Sequence, residues 1–116
     1  MREHKETLNQ LIIEQQDKAA AEATAAIPAQ GDAYELWRAT RDASAEAQQA
    51  MLNWPPFNSA HEGFCVLKEE VDELWRHVMT NQKKRDLVAM RKEAIQVAAM
   101  ALRFAAEVCT EQVGRK

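Results

Sequence analysis

A chain of 116 residues is one domain's worth, long enough for a modest core but near the size at which partner subunits often help. Its 15 lysines and arginines against 18 aspartates and glutamates leave a formal charge of -3, so no cationic excess attracts a nucleic-acid polymer, and a small anion binds only if metal ions bridge it. Cys65 and Cys109 lie far apart in helical apolar patterns and read as buried free thiols, not as a zinc knuckle or redox pair. No uncharged run approaches the length of a membrane span and nothing resembles a signal peptide, so the expected location is cytoplasmic.

Only three glycines and three prolines interrupt a chain rich in Ala, Glu, Gln, Leu and Met, which predicts an all-α fold. A first helix is expected from Glu3 to Ala26, with Leu8, Leu11 and Ile12 on one side. Those residues must be covered, either by the arm's own domain or by another subunit. Pro28 and Gly31 end the segment, giving an N-terminal arm over 1–30 and a helical domain over 31–116. Asp32 and Glu35 have capping-box spacing, and the second helix should run to Asn53 with Leu36, Trp37, Ala43, Ala47, Ala50 and Met51 buried. Pro55 and Pro56 stop it.

Ser59 and Glu62 repeat the capping box and start a third helix. Phe64, Leu67, Val71, Leu74, Trp75 and Val78 form its apolar stripe. Glu70 lies at the border of that stripe with Glu73 and His77 beside it, whereas Glu69 and Asp72 point further away. A half-buried Glu70 costs free energy unless its charge is paired. After the basic turn 81–85, Asp86 can cap a fourth helix running to Val113 before Gly114. Between Ala94 and Val108 only Gln96, Arg103 and Glu107 are polar, and they share one wedge with Glu93 and Met100. A helix apolar around the rest of its circumference belongs at the centre of a bundle or in an interface, with its polar wedge on a cleft.

Glu70 and Glu73 are one turn apart, as are Glu93 and Gln96 on the next helix. Antiparallel packing would bring the two pairs together as an oxygen-rich cage for a hard cation. The competing reading of the same spacing is a solvated acidic face. Glu69-Glu70-Val71-Asp72-Glu73, followed by Lys92-Glu93-Ala94-Ile95-Gln96, resembles the E-E-x-x-E and K-E-A-x-D signature of the MazG-like all-α nucleoside triphosphate pyrophosphohydrolases. The likeness is sharpest from His61 to Phe104 and leaves the N-terminal arm outside it.

This resemblance implies a helical bundle working as a homodimer or homotetramer. It also implies magnesium, with manganese as a substitute, and cleavage of an NTP or dNTP to the monophosphate and pyrophosphate. Position by position it makes Glu70, Glu73 and Glu93 metal ligands, with Gln96 where the signature has aspartate. An amide carbonyl can still ligate a hard cation but brings no charge. Glu69 and Glu73 become the candidate catalytic carboxylates, Glu69 as a second-metal ligand or water-activating group. No side-chain nucleophile is needed, and the chain offers no convincing Ser-His-Asp or Cys-His set.

Candidate substrate contacts are Lys92 and Arg103 for phosphate, the alternative for Arg103 being a salt bridge to Glu107 or Glu93. Trp54, Phe57 and His61 could meet a base, although aromatics flanking Pro55 and Pro56 can equally seal a core. Lys83, Lys84 and Arg85 read as an exposed basic loop, His77 as a neutral edge residue, and Trp37 and Trp75 as packing residues. Two rival functions stand beside the enzyme: a non-catalytic helical oligomer, and a nucleotide-binding sensor whose metal site Gln96 has weakened.

Overall fold

Local capping chemistry sets the helix boundaries nearest the site. A computed structural model describes the backbone of residues 2–25, 27 and 30–110, and the side chains of 7–18, 27 and 30–110. Among these the fold is all-α: α1 (Arg2–Ala25), α2 (Gly31–Asn53), α3 (Ala60–Met79), a single 3-10 turn (Gln82–Lys84) and α4 (Leu87–Glu107). None of these helices is long and apolar enough to cross a membrane. The expected helix end at Ala26, the stop at Pro28, and the Val113–Gly114 terminus lie outside the described residues.

Two compact units divide inside α2, Met1–Trp37 and Arg38–Lys116. In the first, Leu8, Leu11, Ile12 and Ile13 of α1 are exposed, and Tyr34 stacks on Trp37 with ring centroids 6.0 Å apart. Asp32 lies in the first turn of α2 instead of at its N-cap, where its charge still suits the positive end of the helix dipole. Gly31 begins the helix at φ +83°, a conformation that favours glycine.

In the second unit α3 and α4 form an antiparallel hairpin, with Gly63 against Phe104 at one end and Glu73 near Glu93 at the other. The Ser59 hydroxyl accepts from the Glu62 amide at 3.1 Å, so one half of the expected capping box forms. The Glu62 carboxylate accepts from Asn58 instead, at 3.0 Å. Asp86 caps α4 by accepting from the amides of Val88 and Ala89. Between the helices, the Asn81 side chain accepts from the Lys83 amide, and the Arg85 guanidinium donates to the carbonyls of Val78 and Thr80. That contact places a cation on the electronegative end of α3, while Lys83 and Lys84 stay exposed.

The core is small and built from small residues. Ala47, Phe57, Ala99 and Met100 are buried together, with Ala50, Val66, Leu67 and Val108 packed around them. A Cβ added at Gly63 would lie 2.8 Å from the Phe104 ring and 3.0 Å from the Phe57 ring, so the missing side chain is what lets α3 close on this corner.

Several expectations are corrected by this packing. Phe64, Val71, Trp75 and Val78 of the anticipated apolar stripe are exposed, and Trp75 therefore does not serve as an intrachain packing residue. Leu67 and Leu74 of that stripe are half-buried, together with Val66, Glu70 and His77, and Gly63 is buried against the rings of Phe104 and Phe57. On α2, Ala43 and Ala47 are buried as expected, but Leu36 and Met51 are exposed. Cys65 and Cys109 are exposed thiols, not buried ones. Helix α4 ends at Glu107, followed by a turn at Val108, where Val108, Cys109 and Thr110 make a run of poor helix formers. That helix is also not buried all round. Its polar wedge is the inward face, with Arg103 and Glu107 buried beside Ala99 and Met100, while Ala94, Ala101, Leu102, Ala105 and Ala106 are exposed.

Candidate metal centre and adjoining cleft

The inward face of the hairpin carries the acidic residues because the i, i+3 and i, i+4 spacings of α3 and α4 align them. Glu70 and Glu73 on α3 meet Glu93 on α4, with one carboxylate oxygen of each within 4.8 Å of the others. Glu70 and Glu93 are half-buried and Glu73 is exposed. Three carboxylates so close repel one another when charged. Burial first, and then the charges of Glu73, Glu93 and Glu69, raise the pKa of Glu70 above its usual 4.5. Burial, then the hydrogen bond to Glu73 and the Glu73 charge, raise that of Glu93, partly opposed by His77 and Lys92.

These shifts test whether the residues suit a cation. An all-oxygen set whose members repel one another is the donor chemistry of a hard divalent ion, whose charge would reverse the mutual repulsion. Glu69 is exposed and outside the trio, though its charge reaches Glu70.

Glu70 also lines a cleft of about 380 Å³ that opens between α2, the segment after it, α3 and α4. Its walls include Glu46, Gln49, Asn53 and Trp54 from the α2 side, Phe57, Glu62 and Val66 below, and Gln96, Met100 and Arg103 from α4. Gln96 does not stand free. Its amide nitrogen donates to Glu46 Oε1 at 2.7 Å, which turns the Gln96 carbonyl away from that carboxylate. A second α2 to α4 contact, Asp42 to Arg91 at 2.9 Å, with Arg41 also on Asp42 at 3.1 Å, holds the Asp42 carboxyl below its usual 3.8.

Arg103 is committed to structure. It donates through Nε and a terminal nitrogen to both oxygens of Glu107, at 2.7 and 3.1 Å, and to the Pro55 carbonyl at 3.2 Å. Its guanidinium lies 4.2 Å from the centroid of the Phe57 ring. Glu107 in turn accepts from the Phe57 amide at 2.8 Å. Of the two readings of Arg103, the Glu107 salt bridge is the one formed.

Among the sequence candidates, the cleft thus collects Trp54, Phe57, Glu70, Gln96 and Arg103, with Trp54 exposed and Phe57 sealed in the core. Lys92 and His61 are exposed and do not line it. Glu46, Gln49 and Asn53 escaped sequence reasoning. The available signal was a carboxylate at position 46 flanking the small-residue stripe of Ala43, Ala47 and Ala50, an expensive place for a charge without a task.

Compared with known proteins, the chain matches no family model, and neither the curated proteins nor the solved structures contain a significant match to it.

Proposed function

We propose that the protein is a magnesium-dependent nucleoside triphosphate pyrophosphohydrolase of the MazG-like kind, converting an NTP or dNTP to the monophosphate and pyrophosphate. The observation that carries this reading is the convergence of Glu70, Glu73 and Glu93 within 4.8 Å beside a cleft that Glu70 also lines. The resemblance of 69–73 and 92–96 to the pyrophosphohydrolase signature supplies the reaction class. Bound at the trio, magnesium would neutralise triphosphate charge and lower the pKa of an attacking water.

The remaining work falls to the chain's own residues. Glu70 and Glu93 hold the site, and Gln96 offers its carbonyl while its amide is engaged by Glu46. Glu69 or the exposed Glu73 accepts the proton of the attacking water. Trp54 on the cleft wall offers a ring to the base, and Lys92, exposed next to Glu93 and outside the cleft, would meet a phosphate. Arg103 serves this reading from behind, fixing the Pro55–Phe57 segment that forms a wall of the cleft.

Assembly as a homo-oligomer is part of the proposal. The exposed row of Phe64, Val71, Trp75 and Val78 on α3 supports it, since apolar residues repeating along one helical face are costly to leave in water. The same row favours the rival reading of a non-catalytic oligomer.

One experiment separates the readings: canonical and modified nucleoside triphosphates are incubated with magnesium or manganese and scored for pyrophosphate release. Release that is lost in Glu70→Ala and Glu93→Ala is expected. No release from any triphosphate sinks the enzyme, and activity surviving both substitutions sinks the site. A sensor would show no release but a magnesium-dependent rise in melting temperature with nucleotide, and a structural oligomer would show neither.

A further inference from the structure

The cleft contains a carboxylate to which the hydrolytic proposal gives no task beyond engaging the Gln96 amide. Glu46 is half-buried on α2 and is gripped through Oε1 by the Gln96 amide at 2.7 Å. A carboxylate has about four lone-pair sites, so a single amide bond leaves most of its accepting capacity open. A partly desolvated acceptor held in one orientation by a neighbour is the arrangement that reads a donor on a ligand. It cannot read a carbonyl, because an ionised carboxylate has no proton to give.

The rest of the cleft says what kind of ligand carries that donor. Trp54 is exposed on its wall and offers an aromatic face, and Met100 and Val66 supply apolar surface. A planar heteroaromatic ring satisfies the aromatic and apolar surface, and an amino group on its edge satisfies Glu46. Glu70 belongs both to this cleft and to the acidic trio, so a triphosphate held at the trio has its base within reach of the cleft. Resting on the proposed pyrophosphohydrolase activity, we infer that Glu46 selects triphosphates whose base carries an amino group at pyrimidine position 4 or purine position 6, cytosine or adenine, over those with a keto oxygen at the same position.

The discrimination has a physical size. An amino group facing Glu46 gains a charge-assisted hydrogen bond, whereas a keto oxygen there sets one acceptor against another and strips the carboxylate of water. Losing one such bond to a charged group corresponds to roughly ten- to hundredfold in kcat/KM.

Matched pairs test this. Rates of pyrophosphate release are compared for CTP against UTP and for ATP against ITP, in wild type and in Glu46→Gln, with magnesium affinity measured calorimetrically in the absence of nucleotide. The amino member of every pair that is turned over is expected to lead by tenfold or more in wild type. In Glu46→Gln that ratio is expected to fall towards one, since an amide can rotate to donate to a keto oxygen, while magnesium affinity stays unchanged. Equal rates within each pair, or a keto preference, overturn the inference and leave the hydrolytic reading standing. Magnesium affinity falling tenfold in Glu46→Gln also overturns it, by assigning Glu46 to the metal. No release from any of the four sinks the hydrolytic reading and this inference with it.

Discussion

Arg103 and Glu107, one turn apart on α4, form a two-bond ion pair that is almost wholly shielded from water, with side-chain exposures of 4% and 6%. The pair is not an isolated bridge. Glu107 also receives the Phe57 amide, and Arg103 also reaches the Pro55 carbonyl and covers the Phe57 ring. Together the two side chains tie the segment that leaves α2 to the last turn of α4, which gives the cleft a fixed wall.

Removing one partner should therefore cost more than removing both. Glu107→Ala leaves a buried guanidinium uncompensated and orphans the Phe57 amide, and a loss of about 3–5 kcal/mol is expected. The double variant Arg103→Met with Glu107→Leu should lose less than Glu107→Ala alone, as read from urea unfolding of all variants. A double variant at least as unstable as the single would show that the pair is worth more than its desolvation cost.

Gly63→Ala tests the close approach of the hairpin. Alanine raises helix propensity by about 1 kcal/mol, yet its methyl would sit 2.8 Å from the Phe104 ring. Overpacking of about 1–3 kcal/mol should win, giving a lower melting temperature that Phe104→Leu in the same chain partly restores. A Gly63→Ala protein more stable than wild type would contradict the packing described.

The acidic trio predicts a pH signature. Glu70 and Glu93 have folded-state pKa values raised above 4.5, so the folded chain holds their protons more tightly than the unfolded one. Their contribution to stability is fully present below 4.5 and is lost as pH rises through the raised values. In a chelating buffer, melting temperature should fall across that window more steeply in wild type than in Glu73→Gln, which removes one of the repelling charges. Magnesium at neutral pH should recover the loss in wild type. Asp42 has the opposite sign: its stabilisation is present above 3.8 and disappears as pH falls through its lowered value, so Arg91→Ala should lower the melting temperature above 3.8 and leave the acid end of the curve unchanged. Identical pH profiles for wild type and Glu73→Gln would remove the electrostatic argument for the trio.

Gln96→Asp is no longer a simple restoration of a missing charge. The new carboxylate would face Glu46 across the space now bridged by a 2.7 Å hydrogen bond. Without metal the variant should be less stable by about 1–3 kcal/mol, and Glu46→Gln should rescue it. If position 96 ligates, magnesium affinity should rise in the double variant, and calorimetry showing no gain would remove Gln96 from the metal site.

The exposed α3 row makes assembly measurable. Trp75→Glu should shift the protein towards monomer in sedimentation if Phe64, Val71, Trp75 and Val78 meet another copy. A monomeric wild type would end the proposal of a homo-oligomer.

Much of this molecule was legible in its sequence because the signals are local. Scarce Gly and Pro, the Ser59 and Asp86 caps, the Pro55-Pro56 stop and the one-turn spacing of Glu70 with Glu73 depend on residues a few positions apart, and they set four helices and the acidic face of α3. What the chain order could not reveal was how α3 and α4 turn their faces towards each other. Hydrophobicity favoured the Phe64 and Trp75 stripe on α3 and burial of α4 around all of its circumference but the polar wedge. The packing instead followed Gly63, where the absence of a side chain permits closest approach, and it buried Arg103 and Glu107 because they satisfy each other. The same contacts between distant residues bring Glu93 to Glu70 and pair Gln96 with Glu46 across 50 positions. Sequence by itself determined helices and their caps, since those energies are local; tertiary structure alone decided the buried faces and the neighbours of each carboxylate, since those depend on shape and on charges meeting through space.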